Sequence, residues 1–292
     1  MLSYQHQYHA GNFADVHKHL LQRLLFESLL KKDKPFCYVD CHAGSGLYDL
    51  DDAAAKKTME FSQGIARLWN PVKRAGQASP YPALSAYLDA VSACNNNNSR
   101  KQNSDDLHHY PGSPALAQQW LRDYDTAILL ELHPQAFSAL RHNFAHDNRI
   151  SLHARDCYEG LPALIPPPIK RGLVLFDPSY EIKDEYEQIV ELLKRAHQRW
   201  ATAIYAIWYP LLPAGRHHQL LRALKKSGLK NILSSELSIA DNTPTAGMYG
   251  SGMAIINTPW QLDQRINELL PSVAAILSPA HGRTHLQWLA GE

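Results

Sequence analysis

Along the chain, apolar residues alternate between helical spacing and short continuous blocks, the pattern of an α/β protein. Ala14 to Lys31 carries Val16, Leu20, Leu21, Leu24, Leu25 and Leu29 three and four apart, which predicts an amphipathic helix. Phe36 to Cys41 then reads as a strand. From Asp49 to about Tyr110 the alternation stops. Helix-like stretches at Ile65 to Val72 and Ala83 to Ala93 are followed there by Asn95 to Asp106, a polar tract with nothing to bury and expected to be a mobile loop. The alternation resumes at Pro111-Gly112-Ser113-Pro114. It continues as helix Ala115 to Leu121, strand Ala127 to Leu132, helix Gln135 to Phe144 and strand Ile150 to His153, then strand Leu173 to Phe176 and helix Tyr186 to Trp200. Strand Ala203 to Trp208 and helix His217 to Lys226 come next, and two last strands near Lys230 to Leu237 and Gly252 to Ile256 read as a hairpin pair. The expectation is a Rossmann-like, mostly parallel sheet of seven strands, the last antiparallel. Residues 1–48 and 111–292 form its domain, and 49–110 form a small inserted helical subdomain.

The block Leu173 to Phe176 is apolar throughout, as in a strand buried on both faces, and stops abruptly at Asp177-Pro178-Ser179-Tyr180. Pro178 cannot donate a ladder hydrogen bond, so Asp177 stands at the carboxyl edge of the strand, where open α/β sheets bind ligands. Two readings of this end are open. It is a strand-to-loop turn, for which Asp-Pro and Ser are common residues. Alternatively the Asp177 carboxylate and the Pro178 carbonyl accept the N–H groups of an exocyclic base amine while Tyr180 stacks on the base.

Other strands also end in acids. Asp40 leads into His42-Ala43-Gly44-Ser45-Gly46, a turn in which glycines permit close approach of a ligand to the backbone. A dinucleotide fingerprint wants a third glycine at position 49, and Asp49 stands there, which counts against NAD. S-adenosylmethionine, which has no pyrophosphate, fits such a turn better. Glu131 closes the next strand, suited to ribose hydroxyls, and Asp156 follows another, suited to an adenine amine.

This order of signals resembles the class I S-adenosylmethionine-dependent methyltransferases, and the Asp-Pro-Ser-Tyr end narrows the resemblance to those acting on exocyclic amines. The opening MLSYQHQYHAGNFADVHKH, DCHAGSG, PGSP, ELHP, DPSY, AIWYP and SGMAIIN together resemble the family that methylates N6 of adenine 2030 in 23S ribosomal RNA. The resemblance implies that Lys18, His19, His42, Gly44, Ser113, Glu131, Asp156, Cys157 and Asp177 line the cofactor site. It also implies that Asp177 is the catalytic acceptor, with Pro178 and Tyr180 beside it, and that Tyr4 touches the RNA. The segment Met1 to His19 is accordingly expected to form part of the active site. Ser179 stands where the family has a second proline.

With 292 residues, 45% hydrophobic and 20% charged, the chain suffices for one large α/β domain and an insertion. A net charge of +1 gives no whole-molecule steering, so an RNA partner must be met by local basic patches. Cys37, Cys41, Cys94 and Cys157 form no C-x-x-C pair and read as reduced core thiols. No run approaches the ~18 apolar residues of a membrane span, and the N-terminus lacks an apolar signal core, so a cytoplasmic monomer is expected. Three rivals compete. A DNA adenine-N6 methyltransferase shares the same amine chemistry. A metal enzyme is suggested by His6, His9, His17, His19 and His42, although His17 and His19 face different sides of a helix. A non-catalytic RNA-binding module is suggested by Lys194, Arg195 and Arg199 and by Arg216, His217, His218, Arg222, Lys225 and Lys226.

Overall fold

A computed structural model describes residues 5–69, 79–98, 106–182 and 184–291. In chain order its principal elements are α1 (Phe13–Leu30), β1 (Cys37–Asp40), β2 (Leu47–Asp49), α2 (Ala53–Thr58), α3 (Pro82–Asn98), β3 (His109–Pro111), α4 (Ser113–Trp120), β4 (Thr126–Leu130), α5 (Pro134–Phe144) and β5 (Ile150–His153). There follow α6 (Cys157–Leu164), β6 (Gly172–Phe176), α7 (Glu185–Arg199), β7 (Ile204–Leu211), α8 (His217–Lys226), β8 (Ile232–Ser238), β9 (Gly250–Ile256), α9 (Leu262–Leu277) and β10 (Arg283–Ala290).

The main sheet has the order β10-β8-β9-β7-β6-β1-β4-β5. Strands β5, β4, β1, β6 and β7 run parallel, while β9 is antiparallel to both β7 and β8. The chain builds outward from β1 to β4 and β5 on one side, then returns to place β6 and β7 on the other. That reversal leaves a crevice at the carboxyl ends of β1 and β6. Register puts Asp40 opposite Leu175, so Asp177 stands two residues further along, ~7 Å beyond.

Within β6, Leu173 and Leu175 belong to the core under α1 and α9, and Val174 and Phe176 to the core under α7 and α8. That alternation buries both faces of the strand and explains its unbroken apolar run. Helix α1 begins where the Asn12 side chain accepts the backbone N–H groups of Ala14 and Asp15, both at 2.9 Å. Among the described residues, no helix is long and apolar enough to cross a membrane.

Three local expectations need correction. The main sheet has eight strands, because β10 adds to the edge against β8. Its exposed Arg283, His285 and Gln287 alternate with half-buried Thr284 and Leu286, so no apolar block announces it. A three-residue ladder between β2 and β3 also closes the ends of the interrupted region. Finally, Asn95 does not open a mobile loop: it is buried at the end of α3. Its Nδ2 donates to the Val91 and His109 carbonyls, and its Oδ1 accepts from the His108 and His109 N–H groups. Satisfying four backbone partners is what allows a polar side chain to be buried there. Residues 99–105 of that tract, and 70–72 of the helix-like stretch before it, lie outside the described residues.

Candidate active site

A cavity of about 560 Å³ opens over the carboxyl ends of β1, β4, β5 and β6. Its floor is the turn after β1. Gly44 (φ +59°) and Gly46 (φ +71°) adopt left-handed backbone, and a Cβ on Gly44 would stand 2.2 Å from the Tyr48 hydroxyl. The turn is fixed from β4, because Glu131 Oε2 accepts the Gly44 N–H and Oε1 the His133 N–H, both at 2.7 Å. Asp156 caps α6, its Oδ1 accepting from the Tyr158 N–H at 2.7 Å.

At the centre, Lys18 Nζ donates to Asp177 Oδ2 at 2.5 Å and to Asp15 Oδ1 at 2.8 Å. Burial alone would strip the lysine of its proton, but the Asp15 and Asp177 charges hold its pKa well above the ordinary value. Burial would likewise raise the Asp15 carboxyl; the His6 and Lys18 charges more than reverse that and hold it well below the usual range. Asp15 Oδ2 also accepts from the Gly11 N–H at 2.8 Å and contacts His6 Nε2 at 2.9 Å. Asp177 is different: its Oδ1 has no hydrogen-bond partner among the described residues, and its side chain keeps 15% exposure at the cavity.

His42 joins the two sides of the crevice. Its Nδ1 accepts the Asp177 N–H at 3.1 Å, which leaves the proton of the neutral ring on Nε2, where Cys157 Sγ lies 3.4 Å away. Burial lowers His42 to about 4, so the ring is neutral near pH 7, and burial pushes the Cys157 thiol far up, so it is no thiolate. Asp40 is fully buried beneath this layer. It accepts from Tyr38 Oη (2.7 Å), Ser113 Oγ (2.6 Å) and the His42 N–H (3.2 Å), and burial raises its carboxyl to about 6.

His19 Nδ1 meets the Tyr110 hydroxyl at 2.7 Å, while its Nε2 is buried without a hydrogen-bond partner in the cavity wall. His17, two residues earlier, turns to the opposite side and meets Ser251 Oγ at 2.9 Å and Ser235 Oγ at 3.4 Å. Among the described residues no three His, Cys, Asp or Glu side chains are grouped as a metal site needs.

The cavity wall thus brings together Lys18, His19, His42, Gly44, Ser113, Glu131, Asp156, Cys157 and Asp177. Gln5, His6 and Gln7 of the N-terminal segment line it too. Tyr4 lies outside the described residues. Pro178 and Tyr180 do not line it, which corrects the picture of Tyr180 as an open stacking platform. Tyr180 has φ +55°, a left-handed backbone that swings its ring into the core, 4.3 Å from that of Tyr186, with its hydroxyl donating to the Trp208 carbonyl at 2.7 Å. Sequence reasoning missed Asp15 and Glu185, and named His6 only as a candidate metal ligand. Asp15 and Lys18, three apart at the start of one helix, were a readable signal; Glu185, whose Oε2 is buried without a partner at the cavity, carried none.

Residues 33–290 match the family profile described as "Ribosomal RNA large subunit methyltransferase D, RlmJ". Over their full lengths, the chain is 41% identical to "Ribosomal RNA large subunit methyltransferase J" of Escherichia coli (strain K12). It is 36% identical to the protein of the same name from Haemophilus influenzae, again over the whole of both chains. A crystal structure of a protein from Legionella pneumophila str. Philadelphia 1 superposes with a TM-score of 0.84 at 33% identity, covering 97% of this chain and 99% of that one.

Proposed function

The chain belongs to this family of ribosomal RNA large subunit methyltransferases, and on that premise we propose that it transfers the methyl group of S-adenosylmethionine to N6 of an adenine in 23S ribosomal RNA, adenine 2030 by the resemblance of its motifs. One observation carries the reading. Asp177 stands in the cavity wall, held at Oδ2 by Lys18, while Oδ1 has no hydrogen-bond partner among the described residues, an oriented acceptor awaiting a donor.

The donor cavity fits the cofactor's chemistry. Glu131, with each oxygen already oriented by a backbone N–H, retains lone pairs for vicinal hydroxyls. The orphaned His19 Nε2 in the wall gains a partner when a polar ligand enters. S-adenosylmethionine, when bound, supplies an electrophilic methyl group. The protein's part is positioning. An adenine amine is a poor nucleophile because its lone pair is delocalised into the ring. Accepting an N6–H at Asp177 Oδ1 favours a pyramidal nitrogen with its lone pair directed at the methyl group. Lys18 keeps the carboxylate from turning away, and His42 fixes the Asp177 backbone from below. The base must leave its stack to reach this depth.

Incubation with labelled S-adenosylmethionine and either a 23S RNA transcript or DNA of the same sequence tests the proposal. Digestion to nucleosides should yield labelled N6-methyladenosine from the RNA. Label on DNA alone would favour the DNA enzyme, and label on neither would remove the assignment.

A further inference from the structure

Helix α8 carries the sequence HHQLLRALKK, with no acidic residue. Its buried side is His217, Leu220 and Leu224, packed into the core shared with α7. The opposite side exposes His218, Arg222, Lys225 and Lys226, at spacings of four, three and one that place them on one stripe of the helix. From His218 to Lys226 the stripe is ~12 Å long. Among the described residues, none of Arg222, Lys225 or Lys226 forms an ion pair.

The stripe begins at the crevice. β7 runs parallel to β6, so the loop from Leu212 to Arg216 leaves the sheet on the same edge as Asp177. Arg216 lies near enough to Tyr186 for its charge to act on the phenol, and Tyr186 stacks on Tyr180 three residues after Asp177. Cations therefore extend from the loop after β7, which leaves the sheet on the same edge as Asp177, along α8 and away from that edge.

Resting on the RNA-methyltransferase reading above, we infer that the exposed face of α8 is the track on which the phosphodiester backbone flanking the target adenine docks. Unmatched cations on a rigid helix suit phosphates, which bind by releasing counterions and need no base contact. The base is thereby presented at the crevice, and the stripe carries affinity and register while the cavity carries chemistry.

The test replaces Arg222, Lys225 and Lys226 together by Gln. A matched control replaces Lys31, Lys32 and Lys34, also exposed and, among the described residues, without ion pairs, which follow α1 on the other face of the sheet from α8. Both variants lose the same charge from solvent-exposed positions. With a 23S transcript, the α8 variant should raise KM for RNA by roughly tenfold or more with kcat and S-adenosylmethionine affinity within twofold. Its log affinity against log salt should also lose about 2–3 from its slope, ~0.7–0.9 per phosphate contact. The control should match the parent in both. Binding of fluorescent transcript across a salt series, without methyl donor, reads the same slope whether or not methyl transfer occurs, so failure of the catalytic reading stays separate. An unchanged slope in the α8 variant, or an equal loss in both variants, would overturn the inference.

Discussion

Two aspartates close neighbouring strands of one sheet, yet the structure treats them oppositely. Asp40, at the end of β1, is sealed in and surrounded by neutral donors from Tyr38, Ser113 and the His42 backbone. Asp177, two residues further out and just beyond β6, has among the described residues a single charged partner in Lys18, and it lines the cavity. The first is a strut that joins β1 to the start of α4. The second is the acceptor of the proposed transfer. A carboxylate becomes available for chemistry by being left incompletely satisfied at the edge of a rigid element, and burial alone does not mark it.

The contrast breaks most sharply at Asp177. Asp177→Ala should lower kcat by ~10²–10³-fold, the scale of losing a positioned electrostatic partner, with S-adenosylmethionine affinity within a few-fold by calorimetry. Equal loss of both with the fold intact would make it a binding residue. Asp40→Asn should act on the other axis. Its amide nitrogen would face hydroxyl donors in a closed site, at a cost toward the upper end of ~1–3 kcal/mol in urea unfolding, with catalysis largely kept in the folded fraction. A variant as stable as the parent would deny Asp40 its role as a strut.

Glu131→Ala offers an intermediate case, since its carboxylate both fixes the Gly44 turn and faces the cavity. Affinity for S-adenosylmethionine should fall by ~1–3 kcal/mol, the loss of a charge-assisted hydrogen bond. Calorimetry showing unchanged affinity would leave it the turn-fixing role only.

The smallest effect is a pH slope. Burial raises Asp40 to about 6 and lowers His17 and His42 to about 3 and about 4. Between pH ~4 and ~6 the folded chain holds one extra proton at Asp40, and the unfolded chain one extra at each histidine. The balance is one proton toward the unfolded state, so stability from these groups falls on acidification by ~1.4 kcal/mol per pH unit. Asp40→Asn removes the opposing contribution and should steepen the measured slope by ~1.4 kcal/mol per pH unit, read from denaturation midpoints across this range. An unchanged slope would show that Asp40 does not titrate with folding.

Much of this was legible in order along the chain. The apolar block before Asp177, the glycines after Asp40 and the acid after Leu130 each signalled a strand end by local means, and a parallel sheet gathers its strand ends on one edge. What escaped reading depends on contacts distant in sequence or on conformations that residue type disfavours. Nothing near Lys18 announces Asp177 as its partner, 159 residues away. Tyr180 looked like a stacking platform because its aromatic character was visible and its positive φ was not. Asn95 looked like loop because its composition says so, whereas its four backbone partners come from α3 and the approach to β3.

The seating of α1 has a consequence for how the protein is made. Lys18 meets its partner only when β6 exists, and His17 meets Ser251 only after another 234 residues have followed it. At ~5–20 residues per second, the nascent helix waits roughly 10–50 s outside the tunnel with its leucine stripe incompletely covered. Synthesis that halts before β9 leaves that stripe covered by α3 and α4 but without β9 and α9, which complete its seat.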